Sequence, residues 1–427
     1  MAVLRYGIDS SVHLELADGT LPQQCGTPQG QPLDDPRAAV ARALVEPLDY
    51  PPLARGTTPG DRVVLALDRS IPQASQVIAA VIESLVEAGV DPDGIAILRT
   101  RSDAEAAGDD PCRLLSKSLL ARISLLTHDP ADRRSLAYLA ANDAGEPILI
   151  HRALHEADLV LPIGCLRGDS AAGYFGIHGS VFPMFSDART LGRFRKGDRP
   201  RLPPSGPQGA SHKRGLSPLD RGSQHRQLTA ESDHVAWLLG INFTIQVVPG
   251  GGERIMHVVA GQSDAVRRRG RQLYRAAWDG PMVRRASLVV AAIEGGPGLQ
   301  TWEDFGRALD TASSLVEDGG AMAVCCDLAA DPGPAVQQMA GAPSRAALLR
   351  RIGKDPPEDA LPAAQLARAL DRGKVYLLSR LPPSLVEELD VIPIAGGEEL
   401  ARLARQHKSG ILLANAPHAM VTTDEED

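Results

Sequence analysis

The stretch Ala157–Pro183, ADLVLPIGCLRGDSAAGYFGIHGSVFP, decides how the chain is read. Its first part, Asp158 to Ile163, is an apolar run without period-2 alternation, so both faces are expected to be covered, as in a parallel sheet flanked by helices. Gly164 ends the run, and a glycine-punctuated segment bearing Arg167, Asp169, Tyr174 and His178 follows. Ligands of open α/β sheets sit beyond the carboxyl ends of strands. The segment is therefore expected to be a site loop, with Gly164, Gly168, Gly173, Gly176 and Gly179 permitting positive φ and close backbone approach. Asp169 and His178 are its candidate acid and base, because a carboxylate and an imidazole can divide proton transfer between them. A solvated loop whose His and Asp only satisfy backbone groups is the competing reading.

Outward from this stretch, strand and helix signals alternate. Asp61–Asp68, DRVVLALD, reads as a parallel strand, followed by a helix from Gln76 to Ala88 that stops at Gly89, and then a strand from Ile95 to Thr100. Asp68, at the end of the first of these, is a candidate ligand-binding residue or a helix-capping one. Further strands are expected at Glu146–His151, Phe243–Val248, His257–Gly261, Ser287–Ile293, Gly320–Asp327, Val375–Ser379, Val391–Ile394 and Gly410–Ala414, with helices between them. Pro36–Leu48 reads as a helix entered through Asp35 and Pro36, and residues 3–18 as a strand or hairpin. The pattern predicts two Rossmann-like α/β domains with mostly parallel sheets and an interdomain cleft, spanning residues 1–230 and 231–427. Residues 189–230 are basic and rich in Pro, Gly and Ser, and are expected to form a long loop or linker.

Composition narrows the function classes. The chain has 427 residues, 43% hydrophobic and 23% charged, enough for two ordinary globular cores. A net charge of −8 argues against a general nucleic-acid binder, whose phosphate contacts want a basic face. No run approaches the roughly 18 apolar residues of a membrane span, and the N-terminus lacks the continuous apolar core of a signal peptide. Five cysteines, odd in number and without a CxxC pair, suit a reducing cytoplasm better than a disulfide framework.

HEADLVLPIG, Ala172-Gly173-Tyr174 and Gly176 resemble the core motif of the nickel-pincer lactate racemase family, which reads roughly EAD, hydrophobic residues, Gly, a His, AGFSGG, Lys and Pro-Gly. The resemblance extends over nearly the whole chain in framework. It implies a 2-hydroxy acid racemase or epimerase using a nickel-pincer nucleotide, with Asp68, Ser70, Tyr174 and Gly176 at the cofactor. The same alignment places Arg101 and Asp169 where the family has histidines, Gly179 where it has the cofactor-bearing lysine, and Ile71 where it has an arginine. Asp304 and Arg307 stand where the family has a Gln and a Lys lining the substrate pocket, which implies carboxylate binding; by spacing alone the two can also pair at i, i+3.

Arginine does not exchange protons near neutral pH, so Arg101 can bind a carboxylate but not act as the base. Gly179 offers no amine for covalent attachment, and one histidine, His178, does not make a nickel site. The expected metal set is therefore none, with the family's nucleotide not covalently bound. Three readings stay open: a racemase-type isomerase, a nickel-independent protein binding a small anion such as a carboxylate through Arg101, Arg167 and Arg307, and a non-catalytic paralogue on the same fold.

Overall fold

The computed structural model describes residues 1–69, 71–105, 110–142, 144–169, 171–197, 222–340, 342, 344–354 and 356–424. The deciding apolar run forms the Leu159–Cys165 strand in the interior of a six-stranded sheet, whose order is 255–262, 243–249, 159–165, 63–67, 95–100 and 124–128. All neighbours run parallel except Ile255–Gln262, which is antiparallel to Phe243–Pro249.

The missing alternation has a direct cause. Leu161, Ile163 and Cys165 pack with Val63, Leu65 and Leu67 against helices Pro36–Val45 and Ala74–Glu87. Val160, Val64 and Ala66 point the other way, into a cluster with Leu154, Phe182, Phe185 and Phe194. A strand covered on both faces needs apolar side chains at every position. Each fully buried Leu or Ile stabilises the fold by about 1.5–3 kcal/mol relative to exposure.

A second six-stranded sheet, ordered 392–393, 374–378, 316–325, 286–292, 410–413 and 23–25, is parallel throughout. Val289 and Ala291 pack with helices Trp302–Leu315 and Ala360–Arg372. Leu288, Val290 and Ala292 face the hairpin Ala2–Tyr6 and Ser10–Leu14 together with helix Gly397–Ala404. The expected α/β architecture with mostly parallel sheets is the observed one.

Two expectations need correction. The sheets do not divide at 230/231: Phe243–Pro249 and Ile255–Gln262 join the first sheet, with Gln246 opposite Gly164, while Gln23–Cys25 crosses to the second beside Gly410–Leu413. An apolar run shows that a strand is buried but does not name its partner. Residues 189–230 are also not all loop. Ala188–Gly197 and Gly222–Leu238 are helices, joined by the Arg193–Glu231 ion pair and the packing of Phe194 with Leu228 and Val235. The rest of that segment lies outside the described residues.

Candidate functional site

The carboxyl ends of the first sheet supply the first half of the site. Asp68 follows Leu67, and its carboxylate folds back onto the strand ends, accepting from Arg69 N at 2.8 Å and from Cys165 N at 3.3 Å. Burial raises its pKa, against the pull of Arg167 and these two amides. Arg167 lies two residues beyond the Leu159–Cys165 strand. Burial works against its charge, but Cys165, Asp304, Asp68 and Tyr274 nearby outweigh that. Its Nη1 is buried with no hydrogen-bond partner among the described residues. The Cys165 thiol is pushed up to about 12 by burial, which leaves it a protonated, inert wall.

The second half comes from the other sheet and the helices around it. Thr301 caps helix Trp302–Leu315, its hydroxyl accepting from Asp304 N at 3.1 Å and donating to Asp304 Oδ2 at 2.8 Å. Asp304 Oδ1 accepts from Arg307 Nη2 at 2.7 Å and Nε at 3.3 Å, so the i, i+3 pairing allowed by the sequence is formed. Burial pushes Asp304 upward, yet Arg307 and Arg167 together hold its carboxyl below the usual range. Tyr274, on helix Ser263–Trp278, donates to His418 O at 2.8 Å. The His418 ring stacks at a tilt on Trp278, 5.4 Å between centroids, and burial with Arg167 nearby drives its pKa down to about 3. Its Nδ1 is also buried without a hydrogen-bond partner among the described residues. Tyr174 completes the lining, its phenol pushed upward by burial and by Asp68 and Asp169. Above this floor, Arg69 lies 3.5 Å from Glu303 and 3.9 Å from Asp103, tying the first sheet's loops to the second sheet's helix.

Asp68, Tyr174, Asp304 and Arg307 thus share one electrostatic neighbourhood, centred on Arg167. Other candidates do not join it as expected. Asp169 and His178 are not paired: Asp169 is exposed and bound to Arg271 at 2.9 Å, with Arg275 at 4.0 Å. His178 is buried, its Nδ1 2.8 Å from Asp233 and its Nε2 3.1 Å from Ser263 Oγ, so both ring nitrogens are engaged elsewhere. Arg101 is exposed and held by Asp129 at 2.6 Å, and it is not among the groups that act on Arg167. Ser70 lies outside the described residues. Of the loop glycines, Gly173 and Gly176 have positive φ, +80° and +78°, and a Cβ on Gly176 would meet Thr229 at 3.1 Å. Gly164 serves packing instead, because a Cβ there would stand 2.6 Å from the buried Gln246 amide. Sequence reading missed Tyr274 and His418: helix Ser263–Trp278 is dominated by arginines, which hide its tyrosine, and nothing local ties residue 418 to Arg167.

A parallel two-sheet α/β protein with paired guanidinium groups where the strands end is the class that fold and site define. Residues 6–194 match the family model of the lactate racemase N-terminal domain, which places that part of the chain in the lactate racemase family. Its fold is similar to that of the lactate racemase apoprotein from Thermoanaerobacterium thermosaccharolyticum, at 16% identity and a TM-score of 0.75, covering 98% of this chain and 100% of that one. It is also similar to a Thermotoga maritima protein of a structural genomics programme, at 12% identity and a TM-score of 0.62, covering 92% of this chain and all of that one. No curated protein matches the chain in sequence.

Lactate racemases use a nickel cofactor, and the residues here do not fit its covalent form. Gly179 has no amine, and a Cβ there would already stand 3.1 Å from Gly176 O. The imidazole beside Gly179, His178, has both nitrogens committed to Asp233 and Ser263, and His418, whose Nδ1 has no partner among the described residues, is a single ligand. Among the described residues no three His, Cys, Asp or Glu side chains converge as a metal's ligand set.

Proposed function

We propose that the chain binds a small carboxylate between its two sheets, through Arg167 and Arg307, without a covalently held nickel-pincer nucleotide. The observation that carries this reading is the buried Nη1 of Arg167, which has no partner among the described residues. A buried donor without an acceptor costs about 1–3 kcal/mol, and an incoming carboxylate is the acceptor that would remove the cost. Guanidinium groups hold carboxylates by paired, charge-assisted hydrogen bonds. Asp68 and Tyr174, both in the field of Arg167, would then face the ligand's hydroxyl, which points to 2-hydroxy acids as the class.

The five cysteines are all free and buried, which suits a reducing cytoplasm. No helix of the described residues is long and apolar enough to cross a membrane. The reading is tested by calorimetric titration of the purified chain with L-lactate, D-lactate, glycolate and malonate at low salt. Saturable binding of at least one hydroxy acid supports it, and heatless titrations for all four would refute it.

A further inference from the structure

Apart from the Arg167 cluster, one set of reactive groups stands complete. Ser263 Oγ is 3.1 Å from His178 Nε2, and His178 Nδ1 is 2.8 Å from Asp233 Oδ1. Arg267 grips the same carboxylate in a fork, Nη1 to Oδ2 at 2.7 Å and Nη2 to Oδ1 at 2.6 Å. Burial opposes the charge on Asp233, but the hydrogen bonds from His178 and Arg267 outweigh it and hold the carboxyl below its usual range. An ionised carboxylate only accepts, so Nδ1 carries the proton, and in the neutral ring Nε2 is left as the acceptor for the Ser263 hydroxyl.

We infer that Ser263 is a nucleophile activated by His178, with Asp233 and Arg267 as positioning residues, and that it takes acyl groups from small esters. Nucleophile, base and orienter stand in the order and at the distances acyl transfer requires. Three separate elements build the set: the glycine loop gives His178, helix Gly222–Leu238 gives Asp233, and Ser263 opens the 16-residue helix Ser263–Trp278, which also bears Arg267. In the first turn of that helix the amide of Ser263 donates to Asn242 O at 3.1 Å and that of Ala265 to Gln262 Oε1 at 2.9 Å. The Asp264 amide has no hydrogen bond among the described residues, and it is the donor available to a developing oxyanion. Ser263 is 7% exposed, so the set suits a small acyl group rather than a polymer.

The step balances without any co-reactant beyond water. As Ser263 Oγ bonds to the ester carbonyl carbon, its proton moves to His178 Nε2; the carbonyl then re-forms, the bond to the leaving alkoxide breaks, and His178 returns the proton to that oxygen. Water repeats the sequence to free the acid.

The test uses the full chain and p-nitrophenyl acetate. The result expected is p-nitrophenolate release with an acetyl group on the Ser263 peptide by mass spectrometry. Ser263→Ala abolishes the acetyl, and Asp233→Asn slows its formation about a hundredfold. In proton NMR the hydrogen-bonded His178 Nδ1–H should give a far-downfield signal that Asp233→Asn removes, which a merely structural role for Asp233 in packing would not produce alongside the rate loss. No acetyl on Ser263, or acetylation that Asp233→Asn leaves unchanged in a variant of wild-type circular dichroism, would overturn the inference. The outcome does not depend on the carboxylate site, which Arg167 variants probe separately.

Discussion

Arg167→Met is the substitution that separates binding from folding. In the folded chain Arg167 places an unpartnered Nη1 and a buried charge beside Asp68, Asp304 and Tyr274. Methionine keeps much of the stem's volume and removes both. Without ligand, removing the orphaned donor returns about 1–3 kcal/mol, while Asp304 loses one of its two cations and keeps Arg307 and Thr301. These effects oppose each other, so the melting temperature should stay close to wild type. Ligand binding has no such offset: losing charge-assisted hydrogen bonds to the carboxylate costs about 1.5–3 kcal/mol, or roughly ten- to a hundredfold in Kd. Isothermal titration with the tightest hydroxy acid, beside thermal denaturation of both proteins without ligand, reads the two quantities. A Kd unchanged within about twofold in a variant that melts normally would refute the assignment of Arg167.

Asp304→Asn should destabilise the chain by about 3–5 kcal/mol in urea denaturation, because it leaves the buried Arg307 and Arg167 guanidinium groups without their shared carboxylate. Gly176→Ala should cost about 1–3 kcal/mol in the same assay, since φ is +78° and the new Cβ would meet Thr229 at 3.1 Å. Stability should fall on acidification through buried histidines: burial lowers His151 to about 4 and His418 to about 3. Unfolded histidines titrate near about 6.5, so the unfolded chain takes up protons that the folded chain refuses, and stability is full above that pH and drops as pH falls toward about 4. Replacing His151 by Phe should flatten the melting-temperature profile between those limits. A profile equally steep in the variant would contradict the assignment.

Much of the scaffold was legible because its strands are covered twice. Val63–Leu67 and Leu159–Cys165 could be read from their unbroken apolar runs, and helix Ala74–Glu87 from its period and the glycine after it. Strand partners were not legible, which is why residues 243–262 fall in the first sheet rather than after the expected division. Gln23–Cys25 is two-thirds polar and becomes a strand only because Gly410–Leu413 offers it an edge. Helix Ala188–Gly197 and the start of Gly222–Leu238, up to residue 230, were hidden by basic composition, with Phe194 and Leu228 too sparse to show a period, while the end of the second helix, from Asp233, was legible.

In the site, local spacing could be read and convergence could not. Asp304 and Arg307 are three residues apart on one helix, so their pairing followed from position. Asp169 and His178 are nine apart in a loop, and the turn between them sends one to Arg271 at the surface and the other inward to Asp233. Tyr274, His418 and Ser263 carry no signature in their neighbours. They matter through what the two sheets bring to them.

The central claim is that this chain keeps the lactate racemase scaffold while holding its ligand by guanidinium groups instead of a covalent nickel cofactor. The most direct measurement is intact mass with nickel content on protein purified from cells that also make the nickel-pincer nucleotide. The account predicts the unmodified chain mass and nickel far below one atom per chain, with hydroxy-acid binding that Arg167→Met weakens. A chain carrying the added nucleotide mass and near-stoichiometric nickel would contradict it.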